Sequence, residues 1–176
     1  LATSWEIDPA HSAAHFAVRH MMVATVRGEF GRVSGTVTLD SADPGRSTVR
    51  ATIDAASINT RDAQRDTHLR SPDFFDVERF PTIEFESTAI KAKGVGEYDV
   101  TGNLTIHGVT RPVTLTVEAP DQEMTDPYGN VKRGATATAR VNRKEFGLTW
   151  NVALEAGGIM VGDEVKITLD VELVRK

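Results

Sequence analysis

The sequence predicts an all-β fold, an eight-stranded antiparallel β-barrel with one short helical insert, and three observations predict it. Apolar and polar residues alternate with period two along most of the chain, the mark of strands with one wet face. The polar face recurs in every such segment, so the apolar faces share one interior, and closing the sheet removes exposed edges. One stretch, near residues 59–81, breaks the alternation.

The elements follow in chain order. Segment 14–19 reads as a strand. Over 33–40 the apolar set Val33, Val37 and Leu39 is spaced by Ser34, Thr36, Thr38 and Asp40. Val49, Ala51, Ile53 and Ala55 alternate with Arg50, Thr52 and Asp54. Segment 82–90 is a further strand. Tyr98, Val100, Gly102, Leu104 and Ile106 form the next apolar row, then Val113, Leu115, Val117 and Ala119. Ala135, Ala137, Ala139 and Val141 precede a last row of Val165, Ile167, Leu169, Val171 and Leu173. With 176 residues, one domain over 1–176 is expected.

A two-layer sandwich is the structural rival, and interior volume separates the two. Ala51, Ala55, Gly102, Ala135, Ala137 and Ala139 are small inward positions, and aromatic residues are only 6% of the chain. An eight-stranded barrel either fills its interior or holds a ligand there. Small inward residues favour the hollow case; the alternative is that they let the sheets pack closely.

In the irregular stretch, Asn59-Thr60 is expected to cap a helix over 61–70, with Asp62/Arg65 and Asp66/Arg70 spaced as helical ion pairs. Ser71-Pro72 then reads as the start of a short helical turn carrying Asp73, Phe74 and Phe75, and Pro81 ends the excursion. This insert is expected to cover one barrel mouth. A second irregular segment, 146–161, holds Trp150, Leu154, Gly157, Gly158, Ile159 and Met160. It reads as a buried or ligand-facing loop, or as a plug for the barrel end.

Composition narrows the function. Hydrophobic residues make up 40% and charged residues 26%, so the chain is an ordinary globular one. A formal net charge of -5 lacks the basic footprint of non-specific nucleic-acid binding. The absence of cysteine excludes disulfides, thiolate nucleophiles and cysteine metal sites. No apolar run reaches the length of a bilayer span. The chain starts at Leu1, which leaves room for a removed leader, and the compartment stays open between cytoplasmic and secreted or periplasmic.

Four motifs then carry a family resemblance. They are Ile7-Asp8-Pro9-Ala10-His11-Ser12 with 16–20 and Gly28-Glu29-Phe30; 65–71 with 73–76 and Phe80-Pro81; 102–112; and 142–148 with 161–165. In register over nearly the whole chain, they resemble the YceI-like proteins. The resemblance implies a lipocalin-like barrel with a long apolar cavity. It also implies binding of an isoprenoid lipid, a polyprenyl phosphate or an isoprenoid quinone, usually by a homodimer. Transient membrane contact and no catalysis are expected beside it.

The candidate chemistry is weighed beside it. On a strand His11 and His15 share a face and His20 lies on the other, so converging metal ligands are not expected. His15 also stands where the family pattern usually has an aliphatic residue. Ser12, His68 and Asp66 are the residue types of a triad, but no nucleophile elbow or Gly-rich oxyanion turn accompanies them. No catalytic residue, metal or cofactor is assigned. Asp66 and Asp73 are the carboxylates a glycosidase needs, but Phe74 and Phe75 beside them favour an apolar surface.

Arg19, His20, Asp66, His68 and Arg143 form a polar set suited to orienting a head group, since arginine matches phosphate oxygens in fork geometry. The alternative for each is structural, with Asp66 pairing Arg19 or Arg143 to tie the insert to the barrel. Phe16, Phe74, Phe75, Phe85, Phe146 and Trp150 are the aromatic ligand contacts. Phe74, Phe75, Phe146 and Trp150, in irregular segments, are expected to line a mouth.

Overall fold

The computed structural model describes residues 2–152, 154 and 160–176. Its strand segments are β1 (Ala2–Ile7), β2 (Ala13–His20), β3 (Ala24–Phe30), β4 (Val33–Asp40), β5 (Thr48–Asp54) and β6 (Ile58–Asn59). After helix α1 (Ala63–Arg70) come β7 (Thr82–Gly94), β8 (Glu97–Ile106), β9 (Val109–Glu118), β10 (Met124–Thr125), β11 (Val131–Asn142) and β12 (Val161–Arg175).

Three of the barrel strands are kinked and appear as end-to-end pairs of segments. β1 pairs with β4 while β2 pairs with β3, and β4 pairs with β5 while β3 pairs with β6. The ring continues through β7, β8, β9 and β11 to β12, which pairs with β11 on one side and with β1 and β2 on the other. The result is a closed, eight-stranded, antiparallel, lipocalin-like barrel.

The kink between β1 and β2 shows how the chain bends without breaking the ladder. Asp8 caps the turn Pro9–His11 by accepting from the Ala10 N–H at 3.0 Å, with proline at the start of the turn. The Glu172 carbonyl on β12 accepts from the Asp8 N–H at 2.8 Å, and the Glu172 N–H donates to the buried Ser12 Oγ at 3.0 Å. The edge of β12 is therefore satisfied across the gap.

The eight strand positions are those the alternation predicts, with β1, β3 and β6 added as the other halves of kinked strands. The insert departs from expectation. The helix cap is Asp62, whose carboxylate accepts from the Arg65 N–H at 3.0 Å, and Arg61 before it has φ 65°. Neither helical ion pair forms: Arg65 donates to the Thr60 carbonyl and hydroxyl, and Arg70 to the Ala56 and Ile58 carbonyls. Ser71 ends α1 instead of starting a second helix, with its hydroxyl on the His68 carbonyl at 2.6 Å. Residues 72–75 are turns.

The two barrel ends differ. One carries the loops at 41–47, 95–96 and 119–130. The other carries the β2–β3 hairpin, the insert and the segment after β11.

Candidate functional site

A cavity of about 560 Å³ runs through the barrel. Its wall is overwhelmingly aliphatic, with Val37, Val49, Leu104, Leu115, Ile167 and Leu169 from opposite sides of the ring. At the first end it reaches Ser41, Gly94 and Val95, which is fully exposed, so the cavity opens there. At the other end Leu69, Phe74, Phe75, Phe146 and Leu148 form its floor, with Phe74, Phe146 and Leu148 buried.

The small inward residues divide into two groups. Ala51, Ala135 and Ala137 line the cavity. Ala55, Ala139 and Gly102 are buried outside its lining. At Gly102 an added Cβ would stand 2.5 Å from both the Phe85 Cζ and the Glu86 carbonyl oxygen, so this glycine makes room for a ring rather than for a ligand. Close packing explains these three, and hollow space the other three.

Of the aromatic set, Phe16, Phe74, Phe75, Phe85 and Phe146 line the cavity. The rings pack on one another at the floor: Phe30 meets Phe75 edge to face at 5.5 Å and 88°, and Phe16 meets Phe30 at 5.7 Å with a 45° tilt. Trp150 is outside the lining and backs the floor, 4.8 Å from His68 and 5.4 Å from Phe74. The expectation that Phe74, Phe75, Phe146 and Trp150 line a mouth is therefore corrected. The insert folds inward because its apolar residues find the barrel end, and it closes that end.

The polar set does not converge. Arg19 lies outside the cavity lining and donates to the Thr25 hydroxyl and the Met22 carbonyl. His20 ends β2 and is also outside the lining. Asp66 is buried, but its partners are the Thr60 N–H and hydroxyl, at 2.9 and 2.6 Å. The expected pairing of Asp66 with Arg19 or Arg143 is absent among the described residues, because a nearby donor on the same loop has captured the carboxylate. His68 faces Asp73 at 2.8 Å.

Arg143 lines the floor and is spent on backbone. It donates to the carbonyls of Gly162, Leu148, Trp150 and Val161, between 2.6 and 3.2 Å. Burial pulls its pKa below the ordinary arginine value, opposed by the charge of Asp163. Asn142 caps the turn Arg143–Phe146, and Gly147 closes it with φ 76°. This motif thus builds the floor. Gly157, Gly158 and Ile159 lie outside the described residues.

Asp8, His11 and Glu172 place their ligand atoms within 4.8 Å of one another. Lys132 Nζ stands 2.7 Å from Glu172 and 3.9 Å from Asp8, so an ammonium already compensates these carboxylates. Sequence reasoning missed Leu69, Leu148 and Arg133 as cavity residues. Arg133 carried a signal, because it shares the inward phase of Ala135 and Ala137.

Fold and cavity together define a hollow, lipocalin-like barrel closed at one end by its own insert. The YceI-like domain pattern matches residues 5–173, and the chain belongs to the YceI-like family. A UPF0312 protein of Staphylococcus aureus (strain N315) is 38% identical over 170 residues, 97% of this chain and 96% of that protein. The structure of Burkholderia cenocepacia BcnA is similar with a TM-score of 0.79 at 26% identity, covering 94% of this chain and 98% of that one. A polyisoprenoid binding domain from Saccharophagus degradans shares the fold, with a TM-score of 0.69 at 15% identity over 99% of both chains.

Proposed function

We propose that this protein binds an isoprenoid lipid, a polyprenyl phosphate or an isoprenoid quinone, in its barrel as a non-catalytic carrier, store or sensor. The carrying observation is the cavity of about 560 Å³, walled by aliphatic side chains and floored by aromatic rings. That volume falls within the roughly 300–1,000 Å³ of pockets that enclose small ligands. The Saccharophagus domain of like fold supports the isoprenoid class. The three triad residue types are not joined to one another by hydrogen bonds: Ser12 accepts from the Glu172 N–H, Asp66 accepts from Thr60, and His68 meets Asp73. A homodimer and transient contact with a bilayer belong to the same reading.

Native mass spectrometry of gently purified protein tests it. A co-purifying apolar mass, exchangeable for an added prenyl lipid, is the expected result. Folded protein that carries no such mass and takes up no prenyl lipid overturns the reading.

A further inference from the structure

We infer that Arg133, at the open rim, selects an anionic head group, so that a prenyl phosphate enters tail first and leaves its phosphate on this guanidinium. The inference rests on the lipid-binding reading above and narrows its ligand class. It starts from the distribution of charge along the cavity. Two arginines line it, one at each end. Arg143 at the floor is saturated by four backbone carbonyls. Arg133 lies at the rim with Ala119, Asp121 and Gly134.

Arg133 is held in place but not satisfied. Its side chain is 13% exposed, and its guanidinium carbon sits 5.7 Å from the ring centroid of Trp5, which is fully buried. That contact orients the planar cation. Nη2 donates to the Pro120 carbonyl at 3.1 Å. Among the described residues Nε and Nη1 have no hydrogen-bond partner, although a guanidinium carries five N–H donors.

The other charges at the rim leave this donor edge available. Asp121 is 3.4 Å from Nη2, but its side chain is 86% exposed, so the pair is weak and displaceable. Asp40 accepts from the Ala42 and Asp43 N–H groups. Lys93 pairs with Asp99 at 3.0 Å, and Lys132 with Glu172. Arg175 stands 5.9 Å from the same Trp5 ring and adds a second cation, 3.9 Å from Glu123. A phosphate offers several charged oxygens to an arginine fork and displaces Asp121. A neutral alcohol or quinone carbonyl gains much less there.

The test uses two probes with one tail, geranylgeranyl monophosphate and geranylgeraniol, in competition against a fluorescent prenyl lipid on the full chain. The protein is expected to prefer the phosphate. Arg133→Met keeps the stem over Trp5 and should cut phosphate affinity about 10- to 100-fold while leaving the alcohol unchanged. Arg133→Lys should retain part of the preference, and Asp121→Asn should raise phosphate affinity alone. Thermal melts accompany each variant; if Arg133→Met does not fold, Asp121→Asn carries the test. Equal binding of both probes, or equal loss of both in Arg133→Met, overturns the role of Arg133 and leaves lipid binding intact. Binding of neither probe overturns the lipid-binding reading itself, and this inference with it.

Discussion

Two small-to-large substitutions should move stability in opposite directions if the interior is hollow where the structure has it. Ala137 lies mid-strand in β11, opposite Leu169 on β12 and Val117 on β9, and lines the cavity. Ala55 is 1% exposed, outside the cavity lining, with its N–H on the Pro81 carbonyl at 2.9 Å. In Ala137→Phe the ring enters open space of about 560 Å³. Burying such a side chain gains about 1.5–3 kcal/mol, offset by about 0.5–1 kcal/mol of rotamer entropy, so the net effect is roughly +0.5 to +2.5 kcal/mol. In Ala55→Phe the ring enters a packed site and should cost about 1–3 kcal/mol or more. With about 2–4 °C of Tm per kcal/mol at this chain length, ligand-free Ala137→Phe should melt about 1–10 °C above the parent. Ala55→Phe should melt about 2–12 °C lower. Circular-dichroism melts of the ligand-free proteins give the answer, and a prenyl-lipid binding assay should show uptake blocked in Ala137→Phe. If Ala137→Phe loses as much stability as Ala55→Phe, the interior is filled in solution and the cavity argument fails.

Other perturbations probe other parts of the barrel. Phe75→Ala, at the floor, should change prenyl-lipid affinity or shift its preferred tail length more than His11→Ala does, and a titration series over tail lengths reads the difference. Arg143→Lys should destabilise by about 3 kcal/mol or more, measured by denaturant titration, because one ammonium cannot satisfy the four carbonyls held by the guanidinium fork. Stability should also fall in acid: the His11 hydrogen bond holds the Asp8 carboxyl, and the Asn130 N–H holds the Asp126 carboxyl, below the ordinary value of 3.8. Folded values below unfolded ones stabilise above the unfolded pKa and are lost as pH falls through the folded pKa, so the acid limb of a Tm–pH profile should flatten in Asp8→Asn.

The parts of this fold legible in the sequence are those where one strand face is wet. Most of the eight ring positions contain an alternating segment, such as the apolar row from Val165 to Leu173. The halves β1, β3 and β6 were not legible because a kink cuts each from its partner segment. In β3, Gly28 also removes one side chain from the inward row, and the Phe16 ring and the Thr60 methyl occupy its place. Alternation reports which face a residue takes but not the size of what it meets. Gly102 and Ala137 look alike in sequence, yet one abuts Phe85 and the other faces a void. The polar site was misread for a similar reason. Asp66 and Arg19 are attractive head-group partners by type, but Asp66 is taken up by the Thr60 N–H and hydroxyl, and Arg19 donates to Thr25 and Met22 outside the cavity lining. Arg133 escaped the sequence reading although its phase carries the signal, since extending the Ala135–Ala137 row back by one step points a charge inward.

The closed floor decides what kind of selectivity such a barrel has. Burying one methylene from water is worth about 0.8 kcal/mol, and a long prenyl tail summed this way exceeds the observed affinity limit of about -18 to -21 kcal/mol. For a prenyl lipid water is the wrong reference, because such a tail normally resides in a bilayer that is already apolar. Transfer of each methylene from bilayer to barrel is close to neutral, so affinity for the tail does not grow with its length while it fits. From Tyr98 at the rim to Ile106 near the floor, β8 rises about 3.3 Å per residue at a tilt of about 40°, a depth of roughly 20 Å. Methylenes beyond that depth stay in water once the complex leaves the membrane, at about 0.8 kcal/mol each. A barrel open at both ends would let a tail thread through and would measure nothing. In the proposed prenyl phosphate complex, with Phe74, Phe75 and Phe146 stopping the tail and Arg133 holding the head, the distance between floor and rim becomes the quantity that sets the preferred tail length.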